Sequence, residues 1–315
     1  MSKEPFFKDL SPFAQITIFL AVVLGFLFLF SLLSVFLTSV IYGFSLDEIQ
    51  SLSSHLDKPK AISALKFMQA VSQIGIFVLP PLVFVSITQQ MSLQRYFKFN
   101  KVKNPSTYLW ATIGVFTIIP FIGVLTSWNM QMELPGSLEG LENWMKTSEE
   151  SASQIMKAFL NVSTLSGLWI NILIIAVLPA VGEELLFRGG IQQVLSKSGL
   201  NKHLAIIVTA LVFSAFHMQF YGFLPRFVLG LMLGYAFVLS NSLWIPVLMH
   251  FVNNAFSVVV SYFYYNGMLD VNYDQIGLTE KLIPVMLSVV LTIYVLLRIG
   301  MNENTLEREK NKKSP

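Results

Sequence analysis

The chain is predicted to be an all-α, polytopic transmembrane helical bundle of about eight membrane helices, and three observations predict it. Hydrophobic residues make up 54% of its 315 residues and charged residues only 12%, against roughly 25% charged in an average soluble domain. The apolar residues gather in runs of about 20, the length an α-helix needs to cross a bilayer. None of these runs alternates as the strands of a membrane barrel do, so the backbone of each must be satisfied within a helix. The absence of cysteine removes disulfides and thiolate metal sites from consideration, and any metal must rely on histidine and carboxylate. The net charge of +3 says less than its distribution among the loops.

Ser11-Pro12 supplies a cap and a first-turn proline for the first apolar run, Phe13 to Ile41. That run is too long for the apolar core of a signal peptide and is expected to stay as an anchor. A loop from Gly43 to Lys58 leads to a second helix, about Lys60 to Ser86, with an expected kink at Pro80-Pro81. The next loop carries Arg95, Lys98, Lys101 and Lys103 without an acid, which places it in the cytoplasm by the positive-inside rule. A third helix follows from about Ser106 to Trp128. Residues 129–162 are polar and acidic, and Leu138, Leu141, Trp144 and Met145 are spaced like the stripe of an interfacial helix. This segment is expected outside.

The fourth helix starts near Leu165 and continues past Gly189-Gly190 toward Lys197. A fifth (Leu204 to Phe220), a short sixth (Leu224 to Leu239) and a seventh (Ile245 to Tyr264) are joined by turns of a few residues, which force neighbouring antiparallel packing. Gly230-x-x-x-Gly234 in the sixth reads as close helix packing. An eighth helix, Ile283 to Ile299, precedes a charged tail, Asn302 to Pro315, expected to be disordered. The chain thus divides into scaffold helices with an acidic loop (1–164), a core of four helices (165–264), and a last helix with its tail (265–315). It is expected to be a multi-pass protein of a bacterial cytoplasmic membrane.

The fourth helix carries a conflict: Glu183, Glu184 and Arg188 lie at the end of a run that otherwise suits lipid. One ionisable side chain near mid-bilayer costs roughly 3 kcal/mol on insertion scales, so three in six residues require an offsetting interaction or a function. Glu184 and Arg188 are four apart with the acid first, the favoured order for an ion pair on one face. Glu183 points about 100° away and has Phe187 as its four-residue neighbour. Glu184 and Arg188 therefore read as support, and Glu183 as chemistry. Two of the four histidines fall within predicted membrane helices: His217 in the fifth, and His250, four residues before Asn254, in the seventh. Counting helix rise from the turns brings Glu183, His217 and Asn254 to similar depths, with His250 one turn away. Four polar groups from three helices are thus expected to converge.

Glu183-Glu184-x-x-x-Arg188, Phe213-x-x-x-His217 and His250-x-x-x-Asn254, in this order on successive membrane helices, resemble the CPBP family, which comprises CAAX prenyl proteases of the Ras-converting-enzyme type and the Abi bacteriocin-processing proteins. The likeness covers about Leu165 to Tyr264. It implies intramembrane endopeptidase activity on a bond near the membrane surface, with a membrane protein or peptide substrate, a lipidated one among the options. In the favoured mechanism Glu183 and His217 activate water, and His250 and Asn254 stabilise the oxyanion, with Glu184, Arg188 and Phe213 in support. No cofactor is favoured. The alternative, in line with the family's usual description as metalloproteases, makes Glu183, His217 and His250 the ligands of a catalytic zinc. A transporter or a scaffold such as an immunity factor is the competing class, although the polar residues gather at one level and form no path across. The bilayer is the expected partner and nucleic acid is not. Charge counting puts the turn near Phe223 outside, whereas prenyl-protein processing requires a site facing the cytoplasm, and the sequence leaves that open.

Overall fold

The computed structural model describes Phe7 and residues 10–89, 91–271, 275–279 and 281–313, with side chains as far as Glu303. Nine long helices follow one another among these residues: α1 Pro12–Tyr42, α2 Pro59–Thr88, α3 Ser106–Met130, α4 Glu139–Leu160, α5 Leu165–Lys197, α6 Lys202–Phe216, α7 Phe223–Ser240, α8 Trp244–Tyr265 and α9 Leu282–Lys313. Seven of the helical segments are long and apolar enough to cross a membrane, and α6 is a shorter apolar helix. The chain is an integral, multi-pass membrane protein. Large apolar side chains such as Leu24, Phe28 and Phe36 on α1 are exposed, as a surface facing lipid tails requires.

The connections sort into two ends. At one, Leu243 donates its N–H to Lys98 O (3.0 Å), Gln193 Nε2 donates to Tyr96 O (2.6 Å), and Glu303 accepts from Lys103 N (2.9 Å) and Thr107 Oγ1 (2.8 Å). This end carries the loop of Arg95 to Lys103 and the Lys197–Lys202 turn. At the other, Asn129 Nδ2 donates to Phe220 O (2.8 Å), Tyr221 N to Glu149 Oε2 (3.3 Å), and Asn266 Nδ2 to Val162 O (3.0 Å). Here α4 lies, with Trp144 against Phe220 (5.4 Å between centroids). Glu142 near its start accepts from Lys146 (2.6 Å) and from Leu134 N (3.1 Å); these hydrogen bonds, the lysine's first, hold its carboxyl below the usual range.

Two apolar clusters hold the bundle. One packs Phe19 of α1 and Phe77 and Phe84 of α2 around Leu186, Phe187 and Val194 of α5, with Phe213 and Phe237 behind them. The other joins Ala111 and Val115 of α3, Leu233 and Ala236 of α7, Ile245 and Met249 of α8, and Val295 and Ile299 of α9. Gly189 and Gly190 allow the first cluster to close: a Cβ there would lie 2.7 Å from Phe97 and 2.5 Å from Phe19.

Four local features differ from the expectations. The irregularity expected at Pro80-Pro81 takes the form of a π-helical turn, Ile74–Val78, and α5 repeats it at Ile172–Val177 before Pro179. The wider turn relieves the clash of a prolyl ring with the carbonyl four residues back. Second, α6 ends at Phe216 and not at Phe220, because His217 turns its ring onto Phe213 O and Met218 is left-handed (φ 53°). Third, α9 runs on to Lys313, where a disordered tail was expected; Leu306, Glu307, Arg308, Glu309 and Lys310 are good helix formers whatever their polarity. Fourth, the 43–58 loop is not bare: Leu46–Gln50 forms a short helix closed by a Ser45/Glu48 capping box.

Candidate active site

The site is built on the second π-helical stretch of α5, Leu185–Gln192, together with the turn before it. Such stretches are rare and recur at functional sites. Glu184 and Arg188 are fully buried and paired, Nη1 to Oε1 at 2.8 Å. Arg188 Nη2 also donates to Gly230 O (2.9 Å), and its guanidinium lies over the Phe213 ring (4.8 Å). One turn on, Gln192 Nε2 donates to Gly234 O (3.2 Å). The glycine pair of α7 thus has two uses. It packs on Ala210 and Ile206, where added Cβ atoms would stand 3.1 and 2.8 Å away, and it offers carbonyls to the polar face of α5.

Glu183 is 6% exposed, and its Oε2 is buried without a hydrogen-bond partner. Two imidazoles face that oxygen: His217 Nε2 at 3.9 Å and His250 Nε2 at 4.0 Å. Their other nitrogens are engaged. His217 Nδ1 meets Phe213 O at 2.8 Å, and His250 Nδ1 meets Glu184 Oε1 at 2.8 Å. A carbonyl and a carboxylate only accept, so each Nδ1 is assigned a proton, and each ring turns its Nε2 toward Glu183. Phe213 packs against both rings, edge-on, with centroids 5.1 Å from His217 and 6.1 Å from His250.

Glu183, His217 and His250 face one another, and Asn254, one turn along α8 from His250, bonds to the backbone of α5. His250, not Asn254, shares the depth of Glu183. Asn254 Nδ2 donates to Ile175 O (3.1 Å), eight residues before Glu183 on α5, and its Oδ1 accepts from Asn253. The sequence reading also missed the bond from His250 to Glu184, since a contact across 66 residues leaves no local pattern. Gln192 was legible: it continues the Glu184, Arg188 face at the same interval of four.

Chemically, Glu183, His217 and His250 suit zinc: one carboxylate oxygen without a partner and two Nε2 atoms, each ring oriented through Nδ1. Their separations of 3.9 and 4.0 Å exceed the about 3.3 Å between two ligands on one tetrahedral zinc. Among the described residues no group of three such side chains is arranged to hold a metal ion.

A family model described as type II CAAX prenyl endopeptidase, Rce1-like, matches residues 165–256, which run from the start of α5 into α8 and include every residue of this site. Through that segment, less than a third of its length, the chain is similar to the CAAX protease family, and the likeness supports an intramembrane endopeptidase of that general type. No curated protein and no solved structure matches the chain.

Proposed function

We propose that this chain is a CAAX-type intramembrane protease that hydrolyses a peptide bond of a membrane-associated protein or peptide, with Glu183 as general base and then general acid. The observation that carries the proposal is the unpartnered Glu183 Oε2 opposite two imidazole Nε2 atoms. Separations of 3.9 and 4.0 Å are too long for a direct hydrogen bond and suit one water bridging carboxylate and ring. Such a water gives one proton to Glu183 as its oxygen attacks the peptide carbonyl. His217 Nε2 accepts its other hydrogen and fixes the lone pair that attacks. The proton on Glu183 then passes to the leaving amine.

His250, held at Nδ1 by Glu184, presents Nε2 to the same place as His217 does and serves as the oxyanion donor. Asn254 has one amide hydrogen on Ile175 O and a second for the oxyanion, so it braces α5 against α8 as well. Glu184 and Arg188 act as positioning residues.

The zinc reading rests on one observation, the carboxylate behind His250 Nδ1, an arrangement common around metal-bound histidine. Glu183, His217 and His250 would hold the ion, which would supply Lewis-acid polarisation and an acidified water. Metal analysis decides between the two. In the metal-free mechanism the active protein contains far less than one zinc per chain and survives chelation. Stoichiometric zinc, lost with activity on chelation and regained on its return, establishes the other.

The basic end faces the cytoplasm by the positive-inside rule, and the chain resides in a bacterial cytoplasmic membrane. His217 leads into the 217–222 turn, which touches α4 at the acidic end. The site opens toward that end, as charge counting alone indicated. Comparing the membrane peptides of cells with and without the protein tests the function: new termini that depend on its presence are expected, and an unchanged peptide profile would contradict proteolysis.

A further inference from the structure

A cavity of about 630 Å³ lies between α2, the end of α4 and the first half of α5, away from the paired charges of the active site. Its walls are apolar, apart from the side chain of Lys66 and a few neutral polar groups. Ile170 and Leu173 at its edge are 49% and 52% exposed on a membrane-spanning helix, so the mouth faces hydrocarbon. Lys66 is only 9% exposed. Its Nζ donates to Asn171 Oδ1 (2.6 Å) and to Phe159 O (3.0 Å), both neutral, and no carboxylate among the described residues pairs with it. An ammonium has three donors, and beyond these two bonds Nζ has only the Phe159 ring, 5.4 Å to its centroid, with no anion among the described residues. Arg188, the other buried cation described above, has a carboxylate at 2.8 Å.

A buried charge in a membrane helix calls for a counter-charge. Here the bilayer supplies it. Lys66 lies seven residues from Pro59, roughly 10 Å along α2, a depth within reach of the headgroup region. Lys58 and Lys60 at the start of α2, and the exposed Lys157 in the last turn of α4, add positive charge on the segments bordering this cavity. A ligand that enters from the hydrocarbon side and ends in an anion is a lipid; free phosphate or a soluble peptide would arrive through water.

We propose that this cavity is a phospholipid site, in which Lys66 binds the phosphate of an anionic phospholipid and one acyl chain lies along the apolar wall of α2 and α5. The site is independent of the proteolytic reading.

The test is native mass spectrometry of the full-length protein in non-ionic detergent, titrated with dioleoylphosphatidylglycerol and, separately, dioleoylphosphatidylcholine. Retention of the anionic lipid is expected to exceed that of the zwitterionic one about fivefold, the effect of one cation near a lipid surface. Lys66→Arg should keep the preference and Lys66→Met should lose it. Leu173→Trp, which closes the mouth and leaves Lys66 intact, should reduce retention of the anionic lipid. Equal retention of both lipids by the unmodified protein, a preference that survives Lys66→Met, or displacement of the lipid by inorganic phosphate alone would overturn the proposal. Should Lys66→Met fail to fold, the two-lipid comparison and Leu173→Trp decide: retention unchanged by the tryptophan overturns it.

Discussion

Two neighbouring glutamates on α5 meet opposite fates. Glu184 lies on the face that turns to α7 and α8, and its Oε1 takes both Arg188 and His250 at 2.8 Å. Glu183, one residue earlier, turns to the opening between α6 and α8, where its Oε2 has no partner and two imidazoles stand 3.9 and 4.0 Å off. The first arrangement is closed and its charge is spent on structure. The second leaves its buried carboxylate oxygen without a partner. Burial alone does not separate them, since both are nearly inaccessible; the number of partners does.

The closed face should fail first in stability. Arg188→Met leaves Glu184 without its cation, and breaking a buried pair typically costs about 3 to 5 kcal/mol; thermal unfolding should show this loss together with loss of activity. A variant of native stability would place the pair outside the structural role. On the open face, His217→Ala should lower the turnover number by about 10² to 10⁴, the range for an acid–base partner, with little change in melting temperature. A melting temperature that falls in parallel would make His217 a structural group.

Asn254 tests the border between the two. Asn254→Ala should lower the turnover number by about 10² to 10³ through the lost oxyanion donor, and stability by about 1 kcal/mol through the lost bond to Ile175 O. If stability alone falls, the residue is only a brace. The smallest effect is expected at Gln192→Leu. It removes the bond to Gly234 O at a cost of about 1 kcal/mol, and proteolysis at saturating substrate should continue.

Much of this was legible in the sequence. Apolar run length gave the helices, and the three charges in one membrane run marked α5. Spacing by four gave the Glu184–Arg188 pair and isolated Glu183. Other parts depend on contacts that a local pattern does not hold. The end of α6 is set by a histidine ring folding back onto its own helix. Lys66 did leave a signal, as a lone cation within the apolar run of α2, but its partners Phe159 and Asn171 come from segments 93 and 105 residues away. The bond between His250 and Glu184 joins α5 to α8, and only the packed bundle brings them together.

The central claim is that Glu183, and not its neighbour, takes the proton of the attacking water. The direct measurement is cleavage of an identified substrate peptide by purified Glu183→Gln protein, compared with the unmodified protein at equal folded concentration. The amide keeps the shape of the side chain and cannot accept a proton, so the melting temperature should be unchanged and cleavage should be lost. Cleavage that persists in Glu183→Gln at a rate near that of the unmodified protein would contradict the account.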